Sequence, residues 1–253
     1  MESLLHCGYQ YELKHQAPGD GSIAAPQTVE ALFIGTVFHA VSSEFYTSHM
    51  ETGGEFTPSI DDMLHVAARI WNADKALVRW GPGGESAAFK LLLSLVRGYI
   101  EWASAQISTN TLKPTSTERY IELELDNCYI VGTLDGETDE PGIFDLKTCA
   151  TYDAGKEIAK SSIQPQIYSL LATGGDVDAA ADLAFDFHLV TKRPNVSVYV
   201  HRVYSSRRDL EIVRDTLIPR AANMVMNGMF LPNFTYQWCH PKWCEVWQSC
   251  RGA

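Results

Sequence analysis

Apolar positions recur at helical spacing through most of the first 110 residues and at alternate positions through much of the remainder. The stretch from Thr28 to Ser48, which contains Leu32-Phe33-Ile34 and Val37-Phe38, has a period near 3.6 residues and predicts a helix. Ile60–Val78 repeats the pattern with Leu64, Ala67, Ala68 and Trp71, and Ser86–Ile107 with Phe89, Leu92, Leu93, Val96, Tyr99 and Ile100. A short helix over Ser3–Leu13 precedes a Pro/Gly loop at Ala17–Pro26; residues 50–60 read as loop, and Gly81-Pro82-Gly83-Gly84 is a clear break. The period then changes. Glu118–Asp126 (ERYIELELD) alternates strictly, as a strand with one apolar face does, which places Glu122 and Glu124 on the solvent side or near a bound ion. Asn127–Asp135 and Gly142–Thr148 continue a meander, and Leu183–Thr191 and Val196–Tyr204 supply two more strands. A helix opens at Ser161–Tyr168, and another over Arg207–Met229 closes the pattern. Three strands, a helix and two strands, wrapped by helices, predict an α/β fold with a mixed central sheet. With 253 residues and 45% hydrophobic content, the chain can bury one core. We read residues 1–253 as a single domain: a mainly helical part (18–115), a sheet core (116–205), and a C-terminal helix with a Cys-rich tail (206–253).

Candidate chemistry concentrates in GTLDGETDEPGIFDLKT. A hairpin pairing Glu137 with Ile143 across a five-residue loop, Thr138 to Gly142, sets Asp135 beside Asp145. Alternation along the strand then puts Asp145 and Lys147 on one face. Like charges brought together raise the pKa of one of them, so two carboxylates at one spot call for a compensating positive charge. A hard divalent cation meets that need, and a neighbouring ammonium can orient water or stabilise developing negative charge. A solvated acidic hairpin tip is the plainer account of the same residues.

Two further segments change the balance. Gly35 and His39 stand four apart on one helical face, so a close approach at Gly35 points His39 the same way. Gln164 and Tyr168 share a face of the later helix, whose Pro165 is tolerated in a first turn where backbone N–H groups lack intrahelical partners.

In this order, Gly35/His39, Gly132/Asp135, Asp145-x-Lys147-Thr148 and Gln164/Tyr168 resemble the motifs of the PD-(D/E)XK nuclease superfamily. The resemblance is strongest to its RecB-like branch, which includes phage exonucleases and CRISPR adaptation exonucleases. It implies a restriction-endonuclease-like core in which His39, Asp135, Asp145 and the Leu146 carbonyl hold Mg²⁺ or Mn²⁺. It also implies that Lys147 serves the attacking water, and that Gln164 and Tyr168 line the site or the DNA path. The activity so implied is a metal-dependent DNA exonuclease of recombination, repair or DNA processing, with a recombinase or single-strand annealing protein as a possible partner. A catalytically silent DNA-binding accessory, or a structure-specific endonuclease, would carry the same sheet.

Charge bears on this reading. The net charge is −11, whereas a phosphate-tracking surface should be basic. Residues 1–150 hold 9 Lys/Arg against 21 Asp/Glu, and residues 151–253 hold 11 against 10, so the acidic excess lies in the first half. A local basic track could come from Lys156, Lys160, Lys192, Arg193, Arg202, Arg207 and Arg208, or these could form an ordinary mixed-charge surface. No apolar run approaches the roughly 20 residues needed to span a bilayer. The N-terminus lacks a basic n-region with a long apolar h-region. A cytoplasmic protein of a bacterial cell or a phage-infected host is expected.

Six cysteines complete the inventory. Cys239, Cys244 and Cys250 crowd WCHPKWCEVWQSC, and Cys7 lies near the other end. In a cytoplasmic chain such clusters suggest metal rather than disulfide. The family resemblance implies a 4Fe–4S cluster on these four, shielded by Trp238, Trp243 and Trp247. A Zn²⁺ site aided by His240 and simple packing are the alternatives. The first C-terminal gap, Cys-x4-Cys, departs from the family's better-known two-residue spacing. Cys128 and Cys149 read as core fillers.

Overall fold

The computed structural model describes residues 28–125, 128–140, 142–192, 195–229 and 250. The expected helix over Ser3–Leu13, the loop at Ala17–Pro26, and Cys7, Cys239 and Cys244 lie outside the described residues.

The periodic stretches fold largely as their patterns dictate. Strand β1 (Thr28–Val29) leads into α1 (Glu30–Glu51), which buries Phe33, Ile34, Val37, Phe38, Val41, Phe45 and Tyr46 along one stripe. Helix α2 (Ile60–Asp74) starts on a capping box in which Ser59 and Asp62 satisfy each other's backbone N–H. It ends four residues before Val78, in a 3₁₀ turn over Lys75–Leu77. The next residues form β2 (Val78–Arg79), which pairs in parallel with β1. Helix α3 (Gly84–Ser108) completes the helical part.

The main sheet has five strands in sequence order: β3 (Pro114–Leu125), β4 (Cys128–Thr138), β5 (Gly142–Cys149), β6 (Ala184–Thr191) and β7 (Val198–Val203). Every neighbouring pair is antiparallel except β5–β6. Parallel neighbours require a long crossover. Here it is built from α4 (Tyr152–Ser161), α5 (Gln164–Ala172) and α6 (Val177–Asp182), where the sequence pattern gave a single helix. The first strand begins at Pro114 rather than Glu118, because its ladder with β4 continues to Thr138. The final helix is broken into α7 (Arg207–Ile212), a π turn (Val213–Leu217) and α8 (Ile218–Met226). Pro219 accounts for the break, since it has no N–H to give and its ring crowds the carbonyl four residues back.

Two cores flank the sheet. Phe144, Leu146 and Val190 face α1, α2 and α3, whereas Ile143, Cys149, Phe185, Phe187 and Leu189 face the crossover and C-terminal helices. By alternation Asp145 and Lys147 point to the second side. A buried polar chain ties the helical part to the sheet. The Tyr46 hydroxyl lies 2.8 Å from that of Tyr99, which lies 3.0 Å from His188 Nδ1, and the His188 ring stacks on Phe144 at 4.8 Å. Burial pushes the His188 pKa down to about 4, so this ring is neutral in neutral solution. Among the described residues no helix is long and apolar enough to cross a membrane.

Candidate active site

The hairpin register is the one the sequence demands: Glu137 pairs with Ile143, and Gly136 with Phe144. The loop is shorter than expected, because Thr138 and Gly142 pair as well and leave residues 139–141 to make the turn. Gly136 is required where it stands; a Cβ there would lie 1.9 Å from Phe144 Cζ. Beyond Gly136 and Phe144 the β4–β5 ladder stops, while β4 continues along β3 and β5 along β6. The strands therefore fork. Two residues on along β5, Leu146 N–H donates instead to Asp135 Oδ2 at 2.8 Å, a side chain standing in for the missing backbone partner.

A cavity of about 1150 Å³ occupies this fork. Helix α1 forms one wall with Leu32, Gly35, Thr36 and His39, and α4 lines another with Ala154 and Ile158. Asp135 and Glu118 lie at one end, and Lys147 to Cys149 of β5, followed by Ala150, run toward Lys192 at the other. His39 Nδ1 is 3.2 Å from Asp135 Oδ2, and Lys147 Nζ is 2.9 Å from Asp145 Oδ2. The imidazole, both acids and the amine thus converge. Nothing lies within 4 Å of a Cβ built on Gly35, so the backbone approach anticipated there is replaced by open cavity.

The electrostatics of the cluster follow from burial and pairing. Asp145 is only 3% exposed, and burial pushes its pKa up to about 6, with Lys147 opposing and Asp135 adding to the rise. Asp135 is also penalised by burial, but the hydrogen bond and charge of His39 and the Leu146 amide outweigh this and hold it below the usual carboxylate value. For His39, burial favours the neutral ring, yet the hydrogen bond and charge of Asp135 win and raise its pKa. The Lys147 ammonium supplies positive charge beside the acids, and Asp135 makes the His39 ring more basic than usual. Asp145 Oδ2 nonetheless receives no properly aligned hydrogen bond, although the Lys147 ammonium is near it. A buried carboxylate oxygen lacking a donor is what an oxygen-seeking cation would complete.

Glu118 is the participant that the sequence did not reveal. Ligand atoms of His39, Glu118 and Asp135 all lie within 4.8 Å of one another. Glu118 adopts φ +47°, a left-handed conformation uncommon outside glycine, and no spacing rule signals it. Glu122 and Glu124 are exposed, on the solvent side. Leu146 borders the cavity while its side chain is packed in the core. Gln164 and Tyr168 are not among the cavity-lining residues. Gln164 opens α5 beside Ser162, and the Tyr168 ring lies where Gly132 leaves room, 6.3 Å from that of Phe185. Of the tail cysteines only Cys250 is described, and it is partly buried.

The sequence profile described as the PD-(D/E)XK nuclease superfamily matches residues 1–251. Among solved structures the chain is similar to a candidate exonuclease from Eubacterium rectale, at 12% identity and TM-score 0.47, over 89% of this chain and 91% of that one. It is also similar to the protein SSO0001, at 15% identity and TM-score 0.38, over 97% and 94% of the two chains. No curated protein matches the sequence.

Proposed function

Because the chain belongs to the PD-(D/E)XK nuclease superfamily, we propose that it is a metal-dependent deoxyribonuclease that degrades DNA from its ends. The observation that supports this most is the fork itself, where His39, Asp135, Asp145 and Lys147 meet although they come from three elements. The helical part supplies the imidazole and the sheet supplies the acids and the amine, so the site requires both and the chain acts as one unit.

His39, Glu118, Asp135, Asp145 and the Leu146 carbonyl are the residues that would hold Mg²⁺ or Mn²⁺, and the oxygen-rich donor set fits these hard ions. When bound, such an ion polarises a phosphoryl oxygen and lowers the pKa of water. The side chains do the rest. Asp145, buried and paired with Lys147, sets a carboxylate just behind the cavity. Lys147, still partly exposed, places its ammonium where negative charge develops on the phosphate. His39 would have to be neutral to hold a cation, so metal binding is expected to weaken in acid.

End-dependent action is favoured by a concave cavity walled by α1 and α4, which suits a single strand better than an uninterrupted duplex. Gln164 and Tyr168 remain proposed as contacts to the DNA path outside that cavity. In the same reading Cys7, Cys239, Cys244 and Cys250 hold a 4Fe–4S cluster. Anaerobically purified protein should then be brown and Cys244→Ser colourless, and a parent without bound iron removes the cluster. The enzymatic test uses end-labelled linear DNA and circular DNA, single- and double-stranded, with Mn²⁺ or with EDTA. Linear DNA should be degraded with Mn²⁺ only, circular DNA should survive, and Asp145→Ala should lose cleavage while still folding. Parental-rate cleavage by Asp145→Ala refutes the site, and cutting of circles supports the endonuclease alternative.

A further inference from the structure

Of the basic residues that could form a DNA track, most are already engaged. Lys160 pairs with Glu157, Arg202 grips Asp186 through two nitrogens, Arg207 pairs with Asp178, and Lys156 lies 5.4 Å over the Tyr152 ring. Arg193 is outside the described residues. Lys192 differs from these. It follows β6 directly, its backbone N–H donates to Cys149 O at 2.8 Å, and its side chain lines the catalytic cavity. It makes no ion pair among the described residues. The carboxylate whose charge bears on it, Glu30, instead accepts from Gly81 N–H at 2.7 Å.

A half-buried ammonium without a counter-ion is costly, and burial does lower the Lys192 pKa. Such a group is stabilised by whatever anion enters the cavity. The opposite end holds Glu118, Asp135 and Lys147, so Lys147 has the buried Asp145 as its carboxylate partner while Lys192 has none among the described residues. Strand rise and strand spacing put the Lys192 and Lys147 Cα atoms about 11 Å apart. Two long side chains converging from that distance can hold successive phosphates of one strand. Between them the wall is apolar or hydroxylated, with Ala31, Leu32, Thr36, Ala154 and Ile158, and it offers contact to sugars and bases without charge.

We propose that Lys192 binds the DNA phosphate adjacent to the one being cut and thereby holds the strand along β5. This rests on the nuclease reading above. Lys192 is a substrate-binding residue here and takes no part in bond cleavage.

The experiment measures initial rates on a labelled oligonucleotide with Mn²⁺ for the parent, Lys192→Met and Lys192→Arg, with Lys147→Met as the inactive control. Lys192→Met keeps the apolar stem and removes the charge. It should raise KM about tenfold, leave kcat within about twofold, and reduce the slope of log affinity against log salt by about one. Lys192→Arg should restore most of the KM. Binding of Mn²⁺ alone, followed by calorimetry, should be unchanged in both. Should Lys192→Met fold poorly, the contact is read on the parent and Lys192→Arg with oligonucleotides carrying single methylphosphonate linkages. One neutral linkage flanking the cut should then reproduce the rise in KM. A parent that cuts DNA while Lys192→Met matches it in KM and salt slope, or that shows no sensitive flanking linkage, overturns this proposal and leaves the nuclease reading standing. A parent that neither cuts nor binds DNA overturns both.

Discussion

Asp145 should make the metal-free protein less stable as pH rises, and the structure sets the size of the effect. Its carboxyl is buried, and its pKa rises from the ordinary 3.8 to about 6. The folded state therefore binds this proton more tightly than the unfolded chain does. The corresponding stability is fully present below pH 4 and is lost as pH climbs to about 6, a difference of about 3 kcal/mol. Two neighbours titrate in other windows. Asp135, with its pKa lowered, contributes stability above pH 4 that is lost in stronger acid. His39, with its pKa raised, contributes stability below pH 6.5 that is lost as pH rises further. Between pH 4 and 6 Asp145 dominates. Urea unfolding in EDTA should show a falling limb there in the parent and a flattened one in Asp145→Asn. At pH 7 the variant should be the more stable by roughly 1–3 kcal/mol, since the buried amide keeps part of the desolvation cost. It should also cut no DNA. Mn²⁺ should reverse the order, adding about 2.7 kcal/mol to the parent at one hundred times its Kd and far less to the variant. Parallel pH curves for parent and variant in EDTA would show that Asp145 is not held as a desolvated acid and refute the electrostatic account.

Three further outcomes are expected. Gly35→Ala meets no atom within 4 Å and removes a helix-interior glycine, so thermal unfolding should show a gain of roughly 0.5–1 kcal/mol. Its methyl group narrows the cavity, and kcat/KM should fall; an unchanged kcat/KM would place the substrate elsewhere. Tyr99→Phe strips the shared partner from Tyr46 and His188 and should cost about 1–3 kcal/mol in urea unfolding, with kcat nearly preserved. Gly136→Ala collides with the buried Phe144 ring and should cost about 1–3 kcal/mol by overpacking while also lowering activity, because the fork shifts with the ring; a parental Tm would contradict the close approach.

The legible parts of this fold were those governed by period and register. Alternation in ERYIELELD gives the faces of that strand, and the Glu137–Ile143 pairing alone implies that Asp135 and Asp145 lie close together. Three features escaped because their causes are not local. Helices α4 and α6 are short, ten and six residues, and fill the crossover that the parallel β5–β6 pair needs. The π turn before Pro219 arises where a long apolar period meets a residue that cannot donate. Glu118 enters the site through a left-handed backbone that a strand pattern hides. His39 lies beside Asp135, as the ordered motif implies, whereas Gln164 and Tyr168 lie outside the cavity lining, since facing one way on α5 does not determine distance from the cavity.

The fork also reconciles an acidic chain with an anionic substrate. Arg119, Arg202, Arg207 and Arg214 are paired with Glu137, Asp186, Asp178 and Asp215, so much of the described positive charge is already neutralised within the fold. The cavity itself concentrates Glu44, Glu118 and Asp135, with Asp145 buried just behind. On the proposed reading such a site would repel phosphate until bound divalent cations reversed its sign, and Lys192 would then lie at the far end to receive the next phosphate. Affinity for DNA would thereby depend on the same metal that the proposed cleavage requires. On this account DNA binding measured in EDTA should be weak and steeply salt-sensitive. Ca²⁺, a hard ion suited to the same oxygen ligands, should strengthen binding. Equal affinity with Ca²⁺ and with EDTA would mean that the strand is held by some surface other than this fork.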